Sequence, residues 1–412
     1  KPVDKKTFDW TRLIIISLTS IITGIYRDGF SATFPFIKRD FDLSRKQLGL
    51  HSTFFFSSSA LFAIFAGRLV DIRGSKWGLG FGILVTGVFF VLHAIVPNFI
   101  LILILSTFTG FGVSINLPSA SKGITEWFPQ ESRGTALGIL SAALPAGGML
   151  GAALFPFLAT LIGWRKAILF PSALAIVYFF YLLYFYQDKE IPKNTFKKKD
   201  VDNASIFKSV VKLLSNNELL TISIFGFFLG ATSASIAAHF TLFLHLDYGL
   251  AEYVAGIGFA LVQLGSFFGR IEWCVICDRL LKTNKRKAFL YMGSIFLALS
   301  IFFCLFFKNC SPPIITVFIL SFLAGFSGRG WTGLYLASTA ELVNENDVGT
   351  ATGFSLLFMR LGSMSIPPIF GYIADVKGTY NLSWLLLGSM MFLTSLIQYY
   401  RHNRNRDNQK NY

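Results

Sequence analysis

Apolar runs long enough to cross a bilayer alternate with short polar segments along the whole chain. A transmembrane helix needs about 20 predominantly apolar residues. Such runs are predicted at 12–36, 48–70, 77–96, 99–126, 135–160 and 166–186, and again at 218–245, 250–277, 288–307, 314–341, 349–374 and 381–400. Between the sixth and seventh runs, 187–217 is rich in Lys, Asn and Asp and reads as a linker. Within it, Ile206, Phe207, Val210, Val211, Leu213 and Leu214 alternate at helical spacing with Lys208 and Lys212, which predicts a short amphipathic helix lying on the membrane. The pattern predicts an all-α membrane protein of twelve transmembrane helices. Its segments are a six-helix half at 1–186, the linker, a second six-helix half at 218–400 and a polar tail at 401–412. The first run is expected to serve as the insertion signal.

The two halves repeat one another. Residues 110–138 return at 325–353 without a gap: Gly110-Phe111 as Gly325-Phe326, Glu126 as Glu341, and Gly134-Thr135-Ala136 with Gly138 as Gly349-Thr350-Ala351 with Gly353. A repeat of this length in an apolar chain implies two homologous membrane halves. That is the layout of secondary transporters that bind substrate near the midplane between them.

Composition agrees with this reading. Of 412 residues, 53% are hydrophobic and only 14% charged, against about 25% charged in a soluble domain. The net charge of +15 is not a nucleic-acid footprint. Its Lys and Arg collect on segments that alternate threading puts on one side: the N-terminus, Arg73 with Lys76, Lys189 to Lys212, Lys282 to Lys287 and Arg401 to Lys410. Excess basic residues in short loops mark the cytoplasmic face, so both termini are expected there, in a bacterial inner (plasma) membrane. Lys38, Arg39, Arg45 and Lys46 run against this bias and are partly offset by Asp40 and Asp42.

Charge is unevenly spread among the spans. Spans three, nine and twelve carry no Asp, Glu, Lys or Arg, span six only Lys166 at its first position, and these four can face lipid, whereas spans one, four, eight, ten and eleven hold the deep charges and must face protein or water. Arg27, Arg329 and Arg360 fall at midplane depth, with Asp28 the one carboxylate nearby. A guanidinium group stays charged and presents a planar fork to carboxylate or phosphate. A surplus of them in a cavity points to an anionic substrate, with structural ion pairing as the alternative. Tyr26, His239 and Tyr335 are expected as polar lining. Cys274 and Cys277 form a Cys-x-x-Cys in an apolar helix with no second pair, so helix packing is expected there and no metal. No nucleophile–base pair or phosphate loop appears, which argues against an enzyme.

These residues resemble the major facilitator superfamily over nearly the whole chain. Gly67-Arg68-Leu69-Val70-Asp71-Ile72-Arg73-Gly74-Ser75-Lys76 resembles the family's Gly-x-x-x-Asp-Arg-x-Gly-Arg-Lys loop, with Ile72 where Arg is usual. Gly269-Arg270-Ile271-Glu272-Trp273 through Asp278-Arg279 resembles its second-half counterpart, with Cys274 for Gly. The resemblance implies a conformational latch at Gly67, Asp71, Arg73, Asp278 and Arg279, in which the Asp71 carboxylate faces a positive helix terminus. Tyr26-Arg27-Asp28-Gly29 ahead of Pro35, and Trp127-Phe128-Pro129 through Arg133-Gly134-Thr135-Ala136, are similar to the organophosphate:phosphate antiporter and anion:cation symporter branches; Gly349-Thr350-Ala351-Thr352-Gly353 resembles the former. That similarity implies a substrate-binding role for Arg27. The chain departs from both branches: Tyr26, not an acid, precedes Arg27, and span seven carries His239 and no Arg. Gly138, Gly147 and Gly151 resemble a drug/proton antiporter motif, with Ala152 for Pro, but small residues at this spacing also permit close helix packing.

The expected protein is a monomeric transporter of a small organic anion, carboxylate or phosphate ester, working by alternating access. Its partners are that anion and the lipid bilayer. It needs no cofactor beyond a coupling proton, carried by Asp28 or Glu272. An exporter of drugs or siderophore-like molecules, an anion exchanger and a transport-deficient sensor are the rival readings.

Overall fold

The computed structural model describes residues 9–188, 216–305, 312–343 and 348–410, and every regular element among them is helical. The expected linker helix lies outside the described residues. Eleven helices are long and apolar enough to cross a membrane. The remaining expected span is the 29-residue helix Arg45–Arg73, which carries His51, Ser52 and Ser57 to Ser59 along an otherwise apolar length. Its start is fixed by a capping box between Ser44 and Gln47.

Two spans that read as continuous are broken. Span one is Trp10–Ala32 followed by Phe34–Phe41. Pro35 has no N–H to continue the ladder, and the Thr33 hydroxyl turns back to Phe30 O at 2.7 Å. Span ten is Ile314–Gly328 and Thr332–Ala340, with Arg329, Gly330 and Trp331 in a turn between them. Span twelve, in contrast, runs past its apolar stretch from Asn381 to Lys410, because the tail contains no Gly or Pro to stop it.

The repeat has a structural meaning. A Cβ on Gly110 would sit 2.2 Å from Phe55 O, and one on Gly325 1.8 Å from Val262 O. Each glycine therefore lets its helix lie directly on the second helix of its own half. Glu126 accepts from Ser75 Oγ at 2.8 Å at the start of span three, and Glu341 pairs with Lys285 at the start of span nine. Spans three and six pack together in one half and nine and twelve in the other, all four against their own half. The halves meet through spans one and seven, two and eleven, and five and eight.

The two faces of the molecule are joined differently. On the face opposite the termini, Asp375 at the end of span eleven accepts the backbone N–H groups of Arg45 and Lys46, each at 2.9 Å. A helix leaves its first four N–H groups unpaired. In span two, Ser44 N reaches Gln47 Oε1 at 2.8 Å and Gln47 N reaches Ser44 Oγ at 3.1 Å. The other half of the molecule satisfies the two that remain. Arg45 also donates to Ala374 O and Gly378 O at 2.9 and 3.0 Å and pairs with Asp247 at 3.4 Å, and Arg39 pairs with Glu252 at 2.7 Å. All of these cross between the halves.

On the termini's face, the ion pairs among described residues stay within one half: Arg12–Asp9, Lys122–Glu126, Lys285–Glu341 and Arg286–Glu218. Asp71, Arg73, Asp278 and Arg279, where a latch was expected, are exposed on that face. In this conformation the carboxylate-on-helix-terminus clamp is made instead by Asp375, at the opposite end. Glycines tell the same story. Leaving aside those with positive φ, Gly67, Gly134, Gly138 and Gly353 have nothing within 4 Å of an added Cβ, and all four lie near the termini's face. They mark surfaces apart in this state.

Asp375→Asn removes a carboxylate–helix contact worth about 1–2 kcal/mol and is expected to shift the two-state ratio roughly tenfold toward opening of the clamped face. A cysteine replacing Thr53, which bonds Met364 O of span eleven at 2.6 Å, should then react faster with a water-soluble thiol reagent. Unchanged reactivity would make Asp375 a surface cap only. Gly138→Leu, which fits the present state but obstructs approach on the termini's face, should slow the same cysteine's reaction; faster labelling would show that this glycine does not face the closing surface.

Candidate functional site

Where the halves touch at mid-depth, one buried carboxylate is shared by two guanidinium groups. Asp28 is fully buried and pairs with its neighbour Arg27 at 2.9 Å through Oδ2, and with Arg329 of the other half at 3.1 Å through Oδ1. Adjacent residues on a helix diverge by about 100°. Asp28 therefore points into the seam toward spans five and eight while Arg27 reaches back along it.

Room for the carboxylate comes from small residues. A Cβ on Gly147 would meet Ile21 O at 1.9 Å and one on Gly151 would meet Ile25 O at 2.5 Å, so span five lies directly on span one. These glycines are helix-packing positions. A Cβ on Gly148 would fall 2.7 Å from Asp28 Oδ2 and 3.0 Å from Gln263 Cδ, which brings that amide to the same spot.

The break in span ten delivers Arg329. A Cβ on Gly330 would lie 2.7 Å from Gly269 Cα, so the turn is pressed onto span eight. Span eight presents one face to it: Phe259, Gln263, Ser266 and Arg270 recur at helical spacing. The Arg329 guanidinium lies over Phe259 at 5.8 Å, and Ser266 Oγ donates to Arg329 O at 3.2 Å. Arg270 donates to Ser141 O of span five at 2.7 Å, across the seam between the halves.

Two guanidinium groups thus meet one carboxylate, and a third, Arg270, lies on the adjoining face of span eight, an excess of positive charge. Several polar atoms remain unused. Arg329 Nη1, Arg270 Nε and both amide atoms of Gln263 are buried without a partner among the described residues. Buried polar groups are nearly always paired in a finished structure. A set of unmatched donors beside excess positive charge is what an anion would complete.

The other expected site residues are dispersed. Arg360 donates to Ser59 of span two, across the seam and off Asp28. His239 is occupied inside the second half, with Nδ1 3.2 Å from Tyr380 Oη and Nε2 2.9 Å from Pro367 O. Tyr335 Oη reaches Ser355 O at 3.4 Å, and Tyr26 Oη donates to Pro171 O at 2.6 Å, turned away from the seam. Glu272 is exposed. Sequence reasoning passed over Gln263 and Arg270 as site residues, although their polar stripe in an apolar helix is a readable signal. It also passed over His51 and His93, which with Arg27 line a cavity inside the first half.

Comparison with known proteins agrees with the fold and the charge of the site. The chain is 22% identical over 93% of its length to a hexuronate transporter of Bacillus subtilis, covering 92% of it. It is also 22% identical over 94% of its length to a protein named probable galactarate/D-glucarate transporter in the same organism, covering 90% of that protein. A bacterial homologue of the human lysosomal transporter Spinster superposes with a TM-score of 0.74 at 17% identity, over 95% of this chain and 96% of that one. The Major Facilitator Superfamily model matches residues 16–307 and 240–411. The chain belongs to the Major Facilitator Superfamily, a family of multi-pass membrane transporters and not of enzymes.

Proposed function

We propose that this protein carries a small organic anion, a carboxylate or a phosphate ester, through the membrane by alternating access, with a proton as the coupling ion. The observation that carries this reading is the meeting of Arg27 and Arg329 on the single carboxylate of Asp28, with Arg270 on the adjoining face of span eight and buried donors left unmatched. The names of the relatives, which concern hexuronate and galactarate or glucarate, favour a sugar acid. Gln263 would read a hydroxyl of such a molecule, since an amide offers both donor and acceptor.

The mechanism follows from competition. An incoming carboxylate has the same fork-matching geometry as Asp28 and takes over part of its hold on Arg27 and Arg329. Arg329–Asp28 is a tie between the halves, so displacing it loosens the midplane seam just when the site fills. The basic loops put the termini in the cytoplasm. With that orientation the present conformation is open inward and clamped outward by Asp375. In a bacterial inner membrane, inward proton flow would then drive uptake.

In proteoliposomes, uptake of glucuronate or glucarate should rise as external pH falls and collapse with a protonophore. Arg27→Gln and Arg329→Gln should each cut uptake by at least about a hundredfold, the scale of a lost charge-assisted pair of roughly 3 kcal/mol, and Arg270→Gln by less, while Arg360→Gln should be milder. Normal uptake in both Arg27→Gln and Arg329→Gln would end the anion-site reading. Uptake indifferent to pH but accelerated by anion loaded inside would replace proton coupling with exchange.

A further inference from the structure

Beside Arg27, inside the first half, lies a small cavity of about 10 Å³, room for about one water, that the anion cluster leaves unused. Arg27 contributes to its wall together with His51 and His93, and Phe30, Phe55 and Phe90 line it too. His93 is fixed, with Nδ1 2.7 Å from Phe89 O and Nε2 3.3 Å from Ser106 Oγ. His51 is different. It is 7% exposed and touches the rings of Phe30, Phe34 and Phe55, yet neither of its ring nitrogens has a hydrogen-bond partner among the described residues.

Its place on span two matters as much as its surroundings. Just before it in the chain, Arg45 and Lys46 are held by Asp375, and a Cβ on Gly49 would lie 2.5 Å from Pro367 O of span eleven. His51 therefore sits directly under the closed clamp. Opening that clamp would separate span two from span eleven and bring water to the end of the helix that carries His51, whose ring lies on the opposite side from Gly49, among Phe30, Phe34 and Phe55.

We propose that His51 is the proton-binding group of the transport cycle, protonated when the face opposite the termini is open and carried across as imidazolium only with an anion held on Arg27. The proposal rests on the proton-coupled reading above. Imidazole is the side chain whose ordinary titration lies near neutral pH. A neutral ring can be enclosed among phenyl groups at little cost, whereas an imidazolium beside Arg27 with no counter-charge cannot. The clamp can then close over a neutral His51 with an empty site, or over a charged His51 with the anion present. Half-loaded states are blocked, and that is the rule of symport.

The groups around His51 leave it this role. Span one offers Arg27, on the wall of the same cavity, and Tyr26, whose hydroxyl is bound to Pro171 O. Span three offers His93, already bonded, and span four only Ser106 and Thr109. Span eleven, packed on span two, contributes Arg360 on Ser59 and, at the clamp, Asp375. His239 of span seven is held by Tyr380 and Pro367. Asp28, the alternative carrier, has both carboxylate oxygens in ion pairs, at 2.9 and 3.1 Å. A proton could reach it only after two guanidinium groups let go.

The test counts protons. Purified protein in detergent is titrated with glucuronate and with glucarate in weakly buffered solution containing a pH dye. Wild-type protein should take up one proton per anion bound, and its affinity should rise up to tenfold for each unit fall in pH above the histidine's titration. His51→Gln should bind with an affinity independent of pH and take up no proton; in proteoliposomes it should keep anion exchange and lose proton-driven accumulation. His51→Asn gives the same readout where Gln does not pack. His93→Gln should take up the proton as wild type does, and Asp28→Asn should still take it up whenever anion binds. Full proton uptake by both His51 variants overturns the proposal, as does anion binding without proton uptake in Asp28→Asn. Proton-free anion binding by wild type would instead overturn the coupled reading itself, and no binding of either anion would overturn the anion reading beneath both.

Discussion

A buried charge has to be matched, and the centre of this molecule is organised around matching Asp28. Stripping water from a carboxylate costs several kcal/mol, and removing one partner of a buried pair typically costs about 3–5 kcal/mol. Two guanidinium groups answer that demand, one from the adjacent residue and one from the opposite half. Much of the local architecture serves this meeting. The glycines of span five lower it onto span one, Gly148 leaves space for the carboxylate, and the break in span ten turns Arg329 into the seam. Arg270 then leaves the cluster with more cation than it needs, so the empty site is electrostatically incomplete. Incompleteness is the property a binding site requires.

The same pairing also ties the halves together at mid-depth, while Asp375 ties them at one end. The two ties have different strengths and different partners. Asp375 meets backbone N–H groups at a partly exposed helix end, an interaction worth up to about 2 kcal/mol. Asp28 meets charged side chains out of water. A ligand shifts a conformational equilibrium only through its different affinity for the two states, and here the difference has a physical location. An anion that competes with Asp28 for Arg329 alters an inter-half contact directly, without needing a route through the rest of the protein.

The fold was legible because membranes impose a strong constraint. Backbone polar groups must be satisfied within each segment, so apolar length alone betrays a spanning helix. Counting charges per span marked spans three, six, nine and twelve, which do pack within their own half, but span five carries no charge either and still meets span eight across the seam. The site was legible in part. Arg27, Asp28 and Arg329 stood out as charges in apolar helices and do come together, whereas Arg360, equally deep, ends on Ser59. Depth along a helix can be counted from sequence; the direction in which a side chain points cannot, unless a neighbour on the same face gives it away. Gln263, Ser266 and Arg270 did give the direction of span eight, but a single Gln or Ser in a membrane helix draws little notice. The histidines of the first half were harder still, because they lie on different spans and only the fold brings them to one cavity.

The repeat offers a sharper way to find the site than charge counting does. Positions kept in both copies are scaffold: Gly110 and Gly325 set helix contacts, and Glu126 and Glu341 secure the starts of spans three and nine. Positions at which the copies differ are free of that duty. Aligned without a gap, Arg329 in the second copy falls opposite Ser114 in the first. Ser114 merely bonds back to Phe111 O of its own helix at 2.7 Å, whereas Arg329 reaches across the seam to Asp28. A pair of halves identical in every side chain would present the same charge from both sides of the midplane and repel itself there. The transporter needs symmetry to move and asymmetry to bind, and substitution within a duplicated frame provides both.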